Sequence, residues 1–313
     1  MLEHIASGVS SNRRDLLGLM AASLATGVVP AASAATTSKL DFTDPRFNVR
    51  AFARMSSTLE AGKTGYVRYT GKAFGLNADG ITTPFYGIDG IGALKALPQE
   101  TGAVRFLFAE CAIYTDLKTG EPLERWTNPW TNESVAVWHQ RNGPVNYEIS
   151  PGPSDKVGKF DKPGGGAPPF TLPWIVDGDR AMFALDVASK RPNPLDPKLY
   201  PKESAGEFLN ISEHSQYMVS TADLANDNLP SLKFFGALQS LKPWHPWMML
   251  GQTPGKVFTR MIAQKVTGPD ALADNVRAFA EKHLPQYMKA PEAWTGQYVT
   301  AYDLFKTEFP RGS

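Results

Sequence analysis

With a single cysteine, Cys111, among 313 residues, the chain can form no internal disulfide, so its stability must come from a buried core. Five histidines are too few and too scattered to spell a zinc signature: neither HExxH nor CxxC occurs. His139, His214 and His245 could meet at a metal only if separate strands brought them together. Lysine plus arginine number 32 against 31 acidic residues, a balance that argues against electrostatic capture of nucleic acid or of an anionic membrane. There is no basic arm, RNA-binding aromatic motif or basic amphipathic helix. The run Gly164-Gly165-Gly166 lacks the Lys-Ser/Thr pair and the following helix of a phosphate-binding loop, and no dinucleotide fingerprint lies between a strand and a helix. The expected partner is a small neutral or aromatic molecule, with no cofactor and with room for a homodimer.

Long hydrophobic runs are missing too. The apolar stretch 16–29 is about fourteen residues long, weakened by Gly18 and Gly27, where roughly twenty are needed to cross a bilayer. It follows the twin-arginine pattern Ser11-Asn12-Arg13-Arg14-Asp15-Leu16-Leu17 and precedes the small-residue site Ala32-Ser33-Ala34. Residues 1–34 therefore read as a twin-arginine signal peptide. The expected mature chain, 35–313, is periplasmic and keeps no stable membrane anchor after cleavage.

What the chain has in quantity is turn chemistry, 27 glycines and 25 prolines, between segments of strand length. Residues 65–71, 103–114, 180–189, 206–221, 232–241 and 255–266 read as strands. A short helix is expected around 49–55. A late helix is expected over 269–284, where Leu272, Val276, Phe279 and Leu284 fall near one face and Pro269 marks the start. Two Gly/Pro-rich stretches, 150–169 and 190–201, read as long loops, either lids or linkers. Many antiparallel strands followed by a helix favour a mainly β fold: one large antiparallel β-barrel, calycin-like, with long loops and a C-terminal helix. A split into two sandwiches is the alternative.

Residues 114–147 hold the densest mixture of Trp, His, Arg and Asn, divided by turn signals at Asp116-Leu117-Lys118-Thr119-Gly120, Asn128-Pro129-Trp130-Thr131-Asn132 and Asn142-Gly143-Pro144. Strand-length segments 121–127 and 133–140 lie between them. Such a block is either a solvent-facing meander or the wall of a binding pocket. Along 134–141, Val135, Val137, His139 and Arg141 share one face, and Ala136, Trp138 and Gln140 the other. If the first face points inward, an imidazole and a guanidinium enter a cavity together. By the same alternation Glu110 and Tyr114 lie with Phe106 and Phe108, Glu213 and Tyr217 lie with Leu209 and Ile211, and His214 lies with Asn210 and Ser212. A carboxylate on an apolar face is costly unless paired or protonated, so Glu110 and Glu213 need partners or shifted pKa values, with Arg105, Arg125, Arg141 or Arg260 as candidate partners. Of the seven tryptophans, Trp138 and Trp294 suit a core, while Trp244 and Trp247, separated by prolines, suit a cavity rim.

Glu121-Pro-Leu-Glu-Arg-Trp-Thr-Asn-Pro-Trp-Thr-Asn-Glu, followed by Val137-Trp-His-Gln-Arg-Asn-Gly-Pro-Val-Asn and later by Lys242-Pro-Trp-His-Pro-Trp-Met-Met-Leu-Gly, resembles the exported bacterial family catalogued as domain of unknown function 1838. The resemblance covers about residues 40–265, with Gly143 standing where the family pattern has Asp. It implies a relation to sphingomonad lyases that cleave lignin-derived aryl dimers of the phenylcoumaran kind, releasing a hydroxymethyl group as formaldehyde and leaving a stilbene. Such chemistry needs a general base, a cation or donor for developing phenolate charge, and a dry aromatic slot. On that reading His139 or Glu110 is the base, Arg141 with Tyr217 steadies negative charge, and His214 protonates the departing oxygen. Trp126, Trp130, Asn142, Trp244, His245, Trp247 and Met248 form the substrate slot. Two other classes compete with this one: a non-catalytic barrel for an apolar or aromatic ligand, and a three-histidine metalloenzyme.

Overall fold

A computed structural model of the chain describes residues 40–152 and 169–311. The expected signal peptide, 1–34, and most of the expected loop 150–169 lie outside the described residues. Helix α1, Pro45–Ser56, covers the short helix expected near its middle: Asp44 caps it by accepting the Arg46 N–H at 2.9 Å, and Pro45 occupies the first turn. Its buried Arg54 donates to the carbonyls of Leu224, Asp223 and Leu229 at 3.1, 2.9 and 2.7 Å, tying the helix to the short helix Thr221–Ala225 and the loop that follows it.

The fold is mainly β, built on a nine-stranded antiparallel sheet curled into a half-barrel. Its strands are β1 (Gly65–Asn77), β2 (Thr82–Pro98), β3 (Val104–Thr115), β6 (Gln140–Ile149), β7 (Trp174–Asp177), β8 (Arg180–Pro192), β9 (Phe208–Ser220), β10 (Phe235–Lys242) and β11 (Gly255–Val266), in the spatial order β6-β3-β2-β1-β11-β10-β9-β8-β7. A separate hairpin pairs β4 (Arg125–Thr127) with β5 (Ser134–Ala136). Its turn carries Asn132 at φ 60°, a left-handed position that asparagine tolerates.

β2 had no counterpart among the expected strands, and its burial explains why. Residues 85–94 are buried on both faces, so the strand shows no alternation of apolar and polar residues. It is also interrupted by glycines that close contact demands. A Cβ at Gly87 would lie 2.3 Å from the Thr115 hydroxyl, and one at Gly90 would lie 2.5 Å from the Tyr69 ring.

The β6 edge is not left bare. Gly143 N–H donates to Val299 C=O at 3.1 Å, Val299 N–H to Pro144 C=O at 3.0 Å, and Asn146 N–H to Gln297 C=O at 2.7 Å. An extended C-terminal segment thus runs along the sheet before helix α4, Ala301–Glu308, which opens with a Thr300/Asp303 capping box. The helix expected over 269–284 is shorter: a single 3₁₀ turn at Pro269–Ala271 is followed by α3, Asp274–His283, and α2 is only Thr221–Ala225. The Ala273 N–H is engaged by Asp89 at 3.2 Å, a carboxylate that also holds Arg68 at 2.8 Å, and this contact separates the 3₁₀ turn from the helix proper. Among the described residues no helix is long and apolar enough to cross a membrane.

The concave face carries an aromatic core in which Phe85, Tyr86, Trp126, Trp244 and Trp247 pack ring against ring at centroid distances of 5.0 to 6.5 Å. Burial of each large apolar side chain contributes on the order of 2–3 kcal/mol. That core supplies the stability that no disulfide can.

Candidate active site

A cavity of about 550 Å³ opens on the concave face. That volume suits a two-ring molecule. β3 and β6 form one wall, β8, β9 and the end of β10 another, and the C-terminal segment carrying Tyr298 and Tyr302 completes it.

Glu110 is its most distinctive group. Its carboxyl is reachable from the cavity yet enclosed by protein, and it accepts a hydrogen bond from Tyr69 Oη at 3.1 Å and a second from Asn142 Nδ2. The Asn142 amide is itself oriented, because its Oδ1 accepts the Ala301 N–H at 2.6 Å at the start of α4. Burial drives the Glu110 pKa above the ordinary carboxylate range, although the bonds from Asn142 and Tyr69 and the charge of Lys242 oppose the rise. The result is a carboxyl that holds its proton more firmly than an exposed glutamate does, beside a cavity from which a substrate could reach it.

Lys242, at the end of β10, pairs with Glu213 of β9 at 2.6 Å. Burial works against the Lys242 ammonium, but Glu213, through charge and hydrogen bond, and Glu110 outweigh it and hold the pKa above that of free lysine. Lys242 in turn keeps Glu213 ionised below the usual range. The cavity therefore contains a fixed cation beside a carboxyl that is reluctant to ionise. His245, also on the wall, is pushed down to about 3 by burial and by Lys242, so it is neutral.

The face expectation for residues 134–141 is corrected. Trp138, Gln140 and Asn142 line the cavity, whereas His139 and Arg141 do not. His139 Nδ1 accepts the Tyr114 backbone N–H at 3.0 Å, and its ring packs on Phe279 at 4.8 Å. Arg141 pairs with Glu308 and lies over the Trp138 ring at 4.0 Å. The two faces alternate as expected, His139 and Arg141 on one and Trp138, Gln140 and Asn142 on the other, but it is the second face that turns to the cavity, a choice that alternation alone does not make. Further along, Asn142-Gly143-Pro144 is no terminal turn. It sits within β6 at a register shift where Glu110 faces Asn142 but Phe108 faces Val145, which moves the cavity side from even to odd positions.

Other expected residues are scattered. His214 is on the outer face, held by Asp186 and Ser212 at 2.8 Å each. Tyr217 points to the concave side but is buried deeper in a second cluster, stacked on Phe183 at 5.1 Å. Trp126, Trp244 and Met248 form the layer behind the wall, and Trp244 Nε1 is satisfied by Thr253 C=O at 2.8 Å. Trp130 is half-exposed and donates to Thr83 at 3.3 Å. Of the expected slot, Asn142, His245 and Trp247 reach the cavity. Among the described residues no group of three His, Cys, Asp or Glu side chains could hold a metal, and the three histidines do not converge.

The arginines proposed as partners for the two glutamates have other contacts. Arg105 pairs with Glu148, Arg141 with Glu308, Arg125 bonds Ser134, and Arg260 lies over Phe258. Lys242 takes that role instead, and a signal for it existed: it shares the inward face of β10 with Leu238 and Ser240. Tyr302 had no such signal, since α4 lacked any expectation.

The family relation follows once this geometry is in view. Residues 62–309 match a family described as protein of unknown function (DUF1838). The chain belongs to that family. No curated protein matches it. The matched region runs from just before β1 through α4, so it contains Glu110, Asn142, Glu213, Lys242 and the C-terminal segment that completes the cavity, while α1 precedes it.

Because burial, aided by the positive charge of Arg141 and His283, holds His139 at about 4, its contribution to stability has a defined pH window. Its folded pKa lies below the unfolded value of about 6.5, so the stabilisation is fully present above pH ~6.5 and is lost as pH falls towards 4, by about 3 kcal/mol in all. His245 acts in the same direction. Because Lys265 and Glu110 also titrate differently in the folded chain, the check is the difference between the parent and a His139→Gln variant, which keeps an acceptor for the Tyr114 N–H. The parent's melting midpoint should hold its offset from the variant above pH ~6.5 and lose ground to it as pH falls towards 4. An offset unchanged down to pH ~5 would show that His139 is not held neutral.

Proposed function

We propose that this protein is a cofactor-independent carbon–carbon lyase that releases formaldehyde from the hydroxymethyl group of a lignin-derived aromatic dimer, phenylcoumaran-like, to give a stilbene. The observation that carries this reading is an enclosed carboxyl with a raised pKa, Glu110, on an aromatic-walled cavity of two-ring size with Lys242 nearby. In the reaction a para-hydroxyaryl ring ionises and expels the benzylic oxygen as an aryloxide, leaving a quinone methide. Glu110 takes the hydroxyl proton of the hydroxymethyl group, the C–C bond breaks and formaldehyde leaves. The bonding pair forms the stilbene double bond and restores the phenolate. The proton held by Glu110 passes to the expelled aryloxide, whose charge Lys242 favours as it develops, and the phenol regains the proton it first lost. Substrate and products balance with no oxidant or reductant. The base is Glu110 rather than His139, whose acceptor nitrogen is already engaged.

The test is formaldehyde release from phenylcoumaran and related dimers by purified protein, with the stilbene followed by its absorbance. A second reading, a carrier of aromatic ligands, draws on the Glu213–Lys242 pair, which already satisfies itself inside the cavity. Binding of the dimer without formaldehyde would favour the carrier. Absence of both would remove the two readings together.

We further propose periplasmic location by twin-arginine export. Replacing Arg13 and Arg14 with lysine should hold the precursor in the cytoplasm, and intact-mass analysis of periplasmic protein should find Ala35 at the N-terminus. Unchanged export of the double variant would rule out this route.

A further inference from the structure

Three polar atoms at one end of the cavity have no partner among the described residues: Trp247 Nε1, Tyr302 Oη and Tyr86 Oη. Their residues are 2%, 8% and 0% exposed. Leaving a buried donor unsatisfied costs about 1–3 kcal/mol, so three in one neighbourhood need a reason. Other indoles in this protein are satisfied: Trp138 donates to Glu308, Trp174 to Asn48 and Trp244 to Thr253, at 2.8, 2.7 and 2.8 Å. Trp247 Nε1 lies near the Tyr114 hydroxyl without hydrogen-bond geometry.

The groups are neighbours. The Tyr86 ring centroid is 5.8 Å from that of Trp247 and 4.5 Å from that of Tyr114, and the Tyr302 hydroxyl is close enough to perturb both Tyr86 and Tyr114. Trp247 and Tyr302 line the cavity, with Tyr86 behind them. An indole N–H can only donate, so the missing partner is an acceptor. Charge narrows its nature. Lys242 and Arg191 both act on Tyr302 from the cavity wall, and the facing carboxyls are occupied, Glu213 by Lys242 and Glu110 by Asn142 and Tyr69. His245, stacked on Trp247 with rings 8° from parallel, is neutral and offers a flat surface to an aromatic ring.

We propose that this end of the cavity is a phenolate subsite, in which Trp247 and Tyr302 donate to the ring oxygen of a bound para-substituted phenol, with the Tyr86 hydroxyl behind them. The subsite rests on the lyase reading only in that such a reaction needs a phenolate; the two donors stand without it. It defines the ligand class as aromatics with a free, ionisable ring hydroxyl, and sets apart their O-methylated analogues.

The probe is 4-nitrophenol, whose phenolate is read directly by absorbance, added to the full folded protein between pH ~6.5 and 9, where His139 and His245 are neutral. Bound probe should ionise about one pH unit lower than free probe, a tenfold preference for the anion. Tyr302→Phe and Trp247→Phe should each weaken phenolate binding roughly tenfold more than they weaken binding of 4-nitroanisole, as loss of a hydrogen bond to a charged group does. Melting midpoints of the variants serve as the folding control, and Tyr302→Phe removes a single oxygen. Unshifted ionisation, or variants that bind the phenolate like the parent, would mean that water satisfies these donors and would overturn the subsite. No turnover enters the measurement. A shifted probe without formaldehyde release would remove the lyase and keep the subsite, and the converse would do the reverse.

Discussion

Glu110→Gln should abolish most turnover while leaving the fold as stable as before. Glutamine can keep the local network: its Oε1 accepts from Asn142, its Nε2 donates to Tyr69, and the Tyr69 hydroxyl donates to the Cys111 carbonyl, now 3.4 Å away. Only the titratable proton is lost. A positioned acid or base contributes about 10² to 10⁴ in rate, and the fall in formaldehyde release should lie in that range. Stability should move the other way. A carboxyl whose folded pKa is raised loses stabilisation as pH climbs above its unfolded value, so the parent carries a cost at neutral pH that the amide removes. The melting midpoint of the variant should equal or exceed that of the parent at pH ~8. Full activity in the variant would remove Glu110 from the chemistry, whereas a large drop in melting midpoint would make it a structural residue.

Lys242→Met should be the second large effect, and a double variant separates its two causes. Methionine fills the volume but leaves Glu213 facing the cavity unpaired. The Glu213 side chain keeps 43% of its accessibility, so solvent screens it and the loss should be roughly 1–2 kcal/mol rather than the several expected of a fully buried pair. Turnover should fall by about 10² to 10³ because the developing aryloxide loses its cation. Combining Lys242→Met with Glu213→Leu removes both charges and should restore the melting midpoint without restoring turnover. If the double variant recovered activity as well, the pair would serve packing alone.

Much of the architecture was legible from local patterns. The β1, β3, β9 and β11 segments alternate or contrast enough to be read, a helix was legible around 49–55 but not its start at Asp44-Pro45, and the two turns flanking 121–127 form where Asp, Asn and Gly permit them. β2 was not, because a strand buried on both faces and punctuated by close-packed glycines carries no period. The site divided similarly. Glu110 and Glu213 could be singled out as carboxylates on apolar faces, a feature of single strands. His139 and Arg141 were grouped correctly but set on the wrong side, since alternation separates the two faces of a segment without saying which of them turns inward.

The residues by themselves determined the mainly antiparallel β character, the reliance on a buried core in place of disulfides, and the two carboxylates that needed partners. Each is a consequence of composition or of a two-residue period, which neighbours in sequence settle. Only the tertiary structure decided that Lys242 is the partner of Glu213, that Asn142 is aimed at Glu110 by the start of α4, and that Tyr302 comes back from the far end of the chain to the cavity wall. These depend on which strands are neighbours in the half-barrel and on a C-terminal segment pairing with the β6 edge, contacts between residues that can stand more than 150 positions apart, which no local pattern encodes.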